Sequence, residues 1–418
     1  MPVWTSTRDP RHHATFAEAA ARSMAPGGGL YVPASLPRLD ADALLPMPFV
    51  DRSVRILQSL LDDVDPDQVE QATRSALDFP VPLVRVTDRI DALELFHGPT
   101  LAFKDFGARF LARILAAFGG ERERLVLTAT SGDTGAAVAH AFWRLPGFRV
   151  VVLYPKGRIS PLQEKQFCTL GDNVRTYAVD GSFDDCQMMV KACFDDAELR
   201  AKHGLVSANS IHVARLVAQT TYYWEAAARR PDAVVAVPSG NFGNVCAGII
   251  ARRQGAPIKN LVVATNANST VPDYLDGAPY APRESVTTPA NAMDVGAPSN
   301  FERIRWLFAD DRDAMRRELR WGSLSNEGIA TELRATWATE RYLLDPHGAV
   351  AAAILRHVLE DGEHGVFLAT AHPAKFLEVV EATVGFRPSI PTSLAERADL
   401  PVLSEPLAAN ARSLFSAI

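Results

Sequence analysis

The chain has 418 residues, enough for two or three domains with a sizeable core, which excludes a small stapled scaffold. Hydrophobic residues at 47% and charged residues at 22% describe a globular chain rather than a disordered one. The 43 Lys and Arg against 49 Asp and Glu leave a formal charge of -6, so no basic field invites nucleic acid, and any anionic ligand must be held locally. Residues 1–90 read as an accessory region, with a helix over 15–23, a Pro/Gly turn over 25–29 and acidic helical segments around 54–76. The first 13 residues carry Arg8, Asp9, Arg11 and paired histidines without an apolar run, so no secretory signal is expected. From 91 to 264, short β-branched runs at 125–129, 149–154, 174–179, 233–237 and 261–264 alternate with helical patterns, which predicts a largely parallel sheet covered on both faces. Between them, Phe106, Phe110, Ile114 and Phe118 recur four apart over 105–118, the core-facing stripe of a helix. The stretch 272–300, rich in Pro, Ala and Asn, reads as an irregular insertion. Helical patterning resumes at 301–319, 329–344 and 348–360, ahead of a last buried strand at 366–370.

No apolar stretch approaches the roughly 20 residues of a membrane span. The four cysteines, Cys168, Cys186, Cys193 and Cys246, form no Cys-x-x-Cys pair and sit at apolar helical positions, which favours reduced thiols in a cytoplasmic protein over metal ligands.

Four segments carry chemistry. In His97-Gly-Pro-Thr-Leu-Ala-Phe-Lys104-Asp-Phe-Gly107 a lysine stands at the entrance of an apolar helix, between Phe103 and Phe106, where its charge is disfavoured and its amine becomes a better nucleophile toward an aldehyde. Alone, it reads first as a surface lysine laying its stem on the apolar face. The second segment, Pro238-Ser-Gly240-Asn-Phe-Gly243-Asn244, joins a buried strand to a helix, the arrangement that aims several N–H groups and a helix dipole at one phosphate. It contains neither the dinucleotide fingerprint nor the nucleotide loop, so a single phosphate of a small cofactor fits best, with glycine packing as the plain alternative. The third, Thr130-Ser131-Gly132-Asp133-Thr134-Gly135, repeats the strand–loop–helix plan with hydroxyls suited to a carboxylate, though each of them singly reads as a helix cap. The last, Thr370-Ala-His372-Pro-Ala-Lys375, puts a hydroxyl at the tip of a buried strand, where it can bond a ring nitrogen without protonating it. His372 and Lys375 read as structural, the lysine as exposed.

In this order, and with Gly27-Gly-Gly-Leu30-Tyr-Val-Pro33 near the start, these motifs resemble the fold type II pyridoxal-phosphate enzymes, and within them the longer bacterial and fungal threonine synthases. The resemblance covers almost the whole chain. It implies an α/β fold of two open, largely parallel sheets flanked by helices, similar to the tryptophan synthase β chain, with an N-terminal accessory region. The expected division is 1–90, then 91–230 carrying the cofactor lysine and substrate loops, then 231–418 binding the cofactor phosphate. The cofactor implied is pyridoxal 5′-phosphate, with Lys104 bonded to its aldehyde, Phe103 and Asp133 beside it, Ser239, Gly240, Asn241, Phe242, Gly243 and Asn244 around its phosphate, and Thr370 facing its ring nitrogen. The reaction implied converts O-phospho-L-homoserine and water into L-threonine and phosphate. Thr130, Ser131 and Thr134 would receive the substrate carboxylate, and Asn209, Ser210 and Arg215 its phosphate, with Lys156 read as solvated. Asp133 stands where many fold type II enzymes carry Asn, which leaves its contact with the cofactor's phenolic oxygen open. The alternatives are a phosphohomoserine lyase or a threonine or serine dehydratase of the same fold; a cofactor-binding protein without turnover fits less well, since Lys104 and both loops are present. A monomer is expected, with a homodimer as the alternative, and no nucleic-acid, membrane or metal partner.

Overall fold

In the computed structural model, which describes residues 4–120 and 122–418, three short strands open the chain: β1 Trp4–Ser6, β2 His13–Ala14 and β3 Tyr31–Pro33, ordered β2-β1-β3 in an antiparallel sheet. The accessory region expected from residue 1 is thus described from Trp4 onward. The chain continues with β4 Leu83–Arg85, β5 Ile90–Glu94, β6 Arg124–Ala129, β7 Phe148–Pro155, β8 Val174–Asp180, β9 Val206–Ser207, β10 Ala233–Pro238, β11 Ile258–Thr265, β12 Leu319–Ser323, β13 Gly365–Ala369 and β14 Glu405–Ala408.

Two sheets carry the architecture. One has six strands in the order β12-β11-β10-β13-β5-β4, parallel except for the β4–β5 edge, and the other has five parallel strands in the order β14-β8-β7-β6-β9. Helices lie on both faces, as the βαβα alternation predicts. The period-2 alternation of a strand explains how. In β10, Val235 and Val237 join the core that also holds the helices Lys104–Ala117, Val213–Arg229 and Gly243–Gln254, while Val234 and Ala236 face the helices Asn326–Glu340 and Pro346–Val358. The five-stranded sheet does the same, with Leu125, Leu127, Val151 and Leu153 turned toward the helix Phe183–Asp195 and toward Leu414 of the C-terminal helix Ala411–Ala417.

Of the expected stripe, Phe106, Phe110 and Ile114 are buried in this middle layer and Phe118, just past the helix end, partly so; here Lys104–Ala117 packs against the helices Pro66–Ala76, Asp133–Phe142 and Val213–Arg229. Each buried Phe contributes about 2 kcal/mol of transfer free energy. The accessory region is fastened to the same layer by one ion pair and by hydrogen bonds: Arg52 and Glu225, both almost wholly buried, bond each other, and buried Arg303 donates to Tyr31 O at 2.9 Å and to Ile211 O.

Several elements differ from the sequence reading. The single helix expected over 301–319 is two, Phe301–Leu307 and Arg312–Glu318, because Ala309 and Asp310 turn to positive φ and Asp311 caps the second. Residues 319–323 then form β12 beside β11 rather than a helix end. The insertion expected from 272 begins inside a helix, Thr270–Asp276, and is irregular from there to 300 apart from the single turn Asn291–Met293. The sheets also draw on segments from either side of the expected divisions: β4 and β5 stand beside the strands of 233–369, and β14 near the C-terminus returns to β8.

Candidate active site

The loops that leave the C-terminal ends of β5, β6, β9, β10 and β13 are the ones carrying the candidate residues, the edge at which open parallel sheets bind ligands. After β5 the chain stays against β13: Leu95 N donates to Ala369 O at 2.9 Å, Phe103 N to Thr370 O at 2.9 Å, and His372 N to Leu101 O at 3.1 Å. Leu101 adopts φ 56°, a left-handed conformation that a branched side chain accepts only when its surroundings enforce it. Asp105 helps enforce it, accepting from Thr100 N at 2.8 Å and Thr100 Oγ1 at 2.7 Å; burial pushes its carboxyl up to about 6. A β-carbon on Gly98 would stand 2.5 Å from Asp105 Oδ2, so the Gly-Pro turn is closed down onto this carboxylate. Lys104 therefore enters the first turn of its helix from a fixed direction.

The surroundings of Lys104 are more charged than its apolar neighbours suggest. Its Nζ lies 3.7 Å from Asp133 Oδ2. Burial pushes its pKa down, Asp133 opposes this, and the nearby cations of Lys375 and Arg215 push it further down. For Asp133, burial works against the charge, but Lys375 and then Lys104 overcome it and hold the carboxyl far below the usual range. Lys375, expected to be exposed, is fully buried, donating to Asp133 Oδ1 at 2.7 Å and to Thr100 O at 2.7 Å. A sequence signal was present: the run Pro373-Ala-Lys375-Phe-Leu377 sets a lysine among apolar residues, which a surface turn does not need. Gln163, not singled out by sequence, donates to Asp133 Oδ1 at 3.1 Å. His372 is structural as expected, its Nδ1 accepting from Ala374 N at 3.1 Å, and burial depresses it to about 4. Lys156 is exposed.

The 130–135 loop divides its expected ligands. Thr130 Oγ1 accepts from Gly132 N at 2.9 Å and Gly135 N at 2.8 Å, so this hydroxyl braces the loop, as the capping alternative had it. Ser131 and Thr134 are half-buried, and their hydroxyls bond no other group among the described residues. The 239–244 loop is a cradle of backbone. Phe242 sits at φ 62°, and the N–H groups of Gly240, Asn241 and Phe242 donate to nothing among the described residues. Gly240 faces the backbone of Ala292 and Met293, where a β-carbon would come within 2.8 Å. Asn244 has its side-chain oxygen occupied, accepting from Tyr222 OH at 2.6 Å and Tyr223 OH at 2.8 Å, while its side-chain Nδ2 is a buried donor with no partner among the described residues. Ser239 Oγ donates back to Val237 O at 2.8 Å.

The third loop joins the second. Asn241 Nδ2 donates to Ser210 Oγ, so the two expected phosphate loops touch through these side chains. Asn209 Oδ1 accepts from Thr128 Oγ1 at 3.0 Å. Arg215 is almost fully buried; Nη1 donates to Ala208 O at 2.6 Å while Nε has no partner, and burial lowers its pKa to about 10. At the tip of β13, Thr370 is buried, and its hydroxyl bonds no other described group.

The arrangement has known counterparts. The family model "Pyridoxal-phosphate dependent enzyme" matches residues 92–370, flanked by "Threonine synthase N terminus" over 3–77 and "Threonine synthase, C-terminal" over 348–417. The threonine synthase of Escherichia coli is 47% identical over 416 residues, covering 97% of each chain, and that of Haemophilus influenzae 49% identical over 405 residues, covering 95% of each. The chain belongs to the threonine synthases. Among solved structures, the Escherichia coli threonine synthase superposes with a TM-score of 0.94 at 46% identity, over 99% of both chains. A pyridoxal-phosphate-bound threonine synthase from Brucella melitensis gives 0.94 at 32% identity, over 100% of this chain and 98% of the other. A threonine synthase is a pyridoxal-phosphate-dependent lyase of fold type II acting on a small molecule, and the cofactor is pyridoxal 5′-phosphate. The residues present fit that group: three consecutive unbonded N–H groups for a phosphate, a lysine whose amine is held toward its neutral form, and an unbonded hydroxyl at Thr370. No helix among the described residues is long and apolar enough to cross a membrane, and no group of three or more metal-ligating side chains occurs among them.

Proposed function

We propose that the substrate is O-phospho-L-homoserine and that Lys104 is both the lysine joined to the cofactor and the base that moves its protons. The single observation that carries this is the environment of Lys104: mostly enclosed, 3.7 Å from one carboxylate, and with its pKa lowered first by burial and then by two neighbouring cations. Bound pyridoxal phosphate supplies the electron sink for the charge that develops at the α-carbon. Once the substrate amine has taken its place, Lys104 Nζ is free and neutral and takes the α-proton, then serves proton transfer at the β-carbon as phosphate leaves from the γ-carbon. Water adds at the β-carbon, so that O-phospho-L-homoserine and water become L-threonine and phosphate. The N–H groups of 240–242 and the helix behind them hold the cofactor phosphate, and the hydroxyl of Thr370 meets the ring nitrogen without protonating it. Ser131 and Thr134 receive the substrate carboxylate. Arg215, with its unpartnered Nε, receives the substrate phosphate together with Asn209 and Ser210. The contact between Asn241 and Ser210 sets the two phosphate loops side by side, which fits a substrate lying over the cofactor with its own phosphate on the same edge. We take the enzyme to act as a monomer in the cytoplasm.

Incubation with O-phospho-L-homoserine and pyridoxal phosphate tests the reading. Threonine and phosphate in equal amounts are expected; phosphate with 2-oxobutyrate would assign a lyase instead. Lys104→Ala is expected to abolish threonine formation while keeping the fold, since a helix-entry lysine removed to Ala costs little packing.

A further inference from the structure

Two lysines meet one carboxylate in this site. Lys375 is fully buried and fixed at both ends of its ammonium, by Asp133 Oδ1 and by Thr100 O, each at 2.7 Å. Asp133 gives its other oxygen to Lys104 at the longer distance of 3.7 Å. Gln163 Nε2 donates to the same Oδ1 as Lys375 and helps to hold the carboxylate in this orientation. A buried carboxylate with one lysine beside it would pair with that lysine and keep it protonated, whereas a lysine that attacks an aldehyde and abstracts a proton must be a free amine. We propose that Lys375 is a positioning residue that neutralises Asp133 and thereby leaves Lys104 as a free amine, an inference that rests on the role given to Lys104 above.

The other charged groups of the site do not supply this neutralisation. Arg215, on the helix Val213–Arg229, acts on Lys104 in the same direction as Lys375 but makes its own bond to Ala208 O. Asp105, on the same helix as Lys104, has both oxygens bonded by Thr100. His347, from the helix Pro346–Val358, acts on Asp133 after Lys375 and Lys104 but is itself bonded to Asp345. His372 spends its Nδ1 as a cap. The bond from Lys375 to Thr100 O also ties the charge pair to the turn that delivers Lys104, because Thr100 is the residue holding Asp105. The arrangement accounts for an aspartate at 133: an acid there is compatible with a free Lys104 amine once a second cation is buried against it.

The test follows the protonation of Lys104 in the full chain freed of its cofactor. The rate at which a neutral acylating reagent labels Lys104 is measured against pH by peptide mass spectrometry, with circular dichroism as the check of fold. Lys375→Gln removes the charge but keeps a donor for Thr100 O and Asp133. It is expected to move the labelling midpoint up by about one pH unit. Adding Asp133→Asn is expected to bring the midpoint back to the parent value or below. An unmoved midpoint in folded Lys375→Gln, or a double variant as high as the single one, would overturn the proposal. Should Lys375→Gln not fold, the double variant decides by itself, since it removes both members of the buried Lys375–Asp133 pair: a midpoint at or below the parent's supports the proposal and one above it refutes it. Labelling needs neither substrate nor turnover, so a failure here leaves the assigned reaction standing.

Discussion

Arg215 combines a structural bond with the proposed one to substrate phosphate. Its guanidinium closes on Ala208 O through Nη1 and leaves Nε without a partner in a buried setting, a position that costs desolvation unless a ligand completes it. Sequence spacing placed it one turn beyond Ser210 but could not say that it is buried, so Arg215→Ala carries two expected effects. The KM for O-phospho-L-homoserine should rise by about thirtyfold, corresponding to about 2 kcal/mol for a charge-assisted bond to phosphate, with kcat changed far less. Thermal stability should fall as well, because the truncation leaves a cavity and an unbonded carbonyl. Steady-state kinetics with a melting curve separate the two, and an unchanged KM would take Arg215 out of the substrate site. Lys375 marks the limit of residue-level reading: spacing from Thr370 gave its position, but only the fold brings it to Asp133, more than two hundred residues away in sequence.

At the level of elements, what was legible followed the strength of the local pattern. β10 and residues 150–155 of β7 are continuous apolar runs buried along their length and read directly. β5 did not, because it carries a buried charge: Asp91 bonds Arg230 at 2.6 Å and His364 at 2.9 Å, and an aspartate breaks the pattern that identifies a buried strand. β12 and β14 are edge strands with partly or wholly exposed residues and little apolar periodicity, and their registers with β11 and β8 are set by tertiary contact. The 239–244 loop was legible as a strand-to-helix turn from its glycines. Its backing by 292–293 was not, since that wall comes from the irregular insertion. Gly240→Ala tests the wall. The added carbon would meet Ala292 O and Met293 Cα at 2.8 Å, backbone atoms that do not move cheaply, so the loop must shift. Weaker retention of pyridoxal phosphate is expected, read as a tenfold or greater rise in the dissociation constant by absorbance titration, on the order of 1.4 kcal/mol. Unchanged retention would mean that the cradle does not depend on this approach.

Across the whole molecule, the accessory region and the catalytic layer are joined by buried polar contacts that titrate. His212 caps the helix Val213–Arg229, accepting from Ala214 N at 3.1 Å, and its Nε2 meets Ala20 O at 2.9 Å, so the ring is neutral with its proton on Nε2. Burial depresses it to about 3. An unfolded chain protonates this ring below its ordinary value, near 6.5, while the folded chain refuses the proton, so the group makes stability fall as pH falls from there toward 3. His140, also pushed by burial to about 3, acts in the same sense. His212→Asn keeps a capping side chain and removes the titration. It should lower stability at neutral pH but flatten its decline in acid by up to one proton, about 1.4 kcal/mol per pH unit, which denaturant melts at pH 7 and pH 5 would measure. An unaltered acid slope would show that His212 is not among the groups that set it. The pairing of residues within 4–90 with the helix 213–229 was not readable from sequence, because apolar periodicity gives a helix its face and not its neighbour.

That Lys104, and not the more deeply buried Lys375, is joined to the cofactor is tested by borohydride reduction of the cofactor-loaded chain followed by peptide mapping. A single modified lysine, Lys104, is expected, with Lys375 untouched because its ammonium is committed to Asp133 and Thr100. A label on Lys375, or shared between the two, would contradict it.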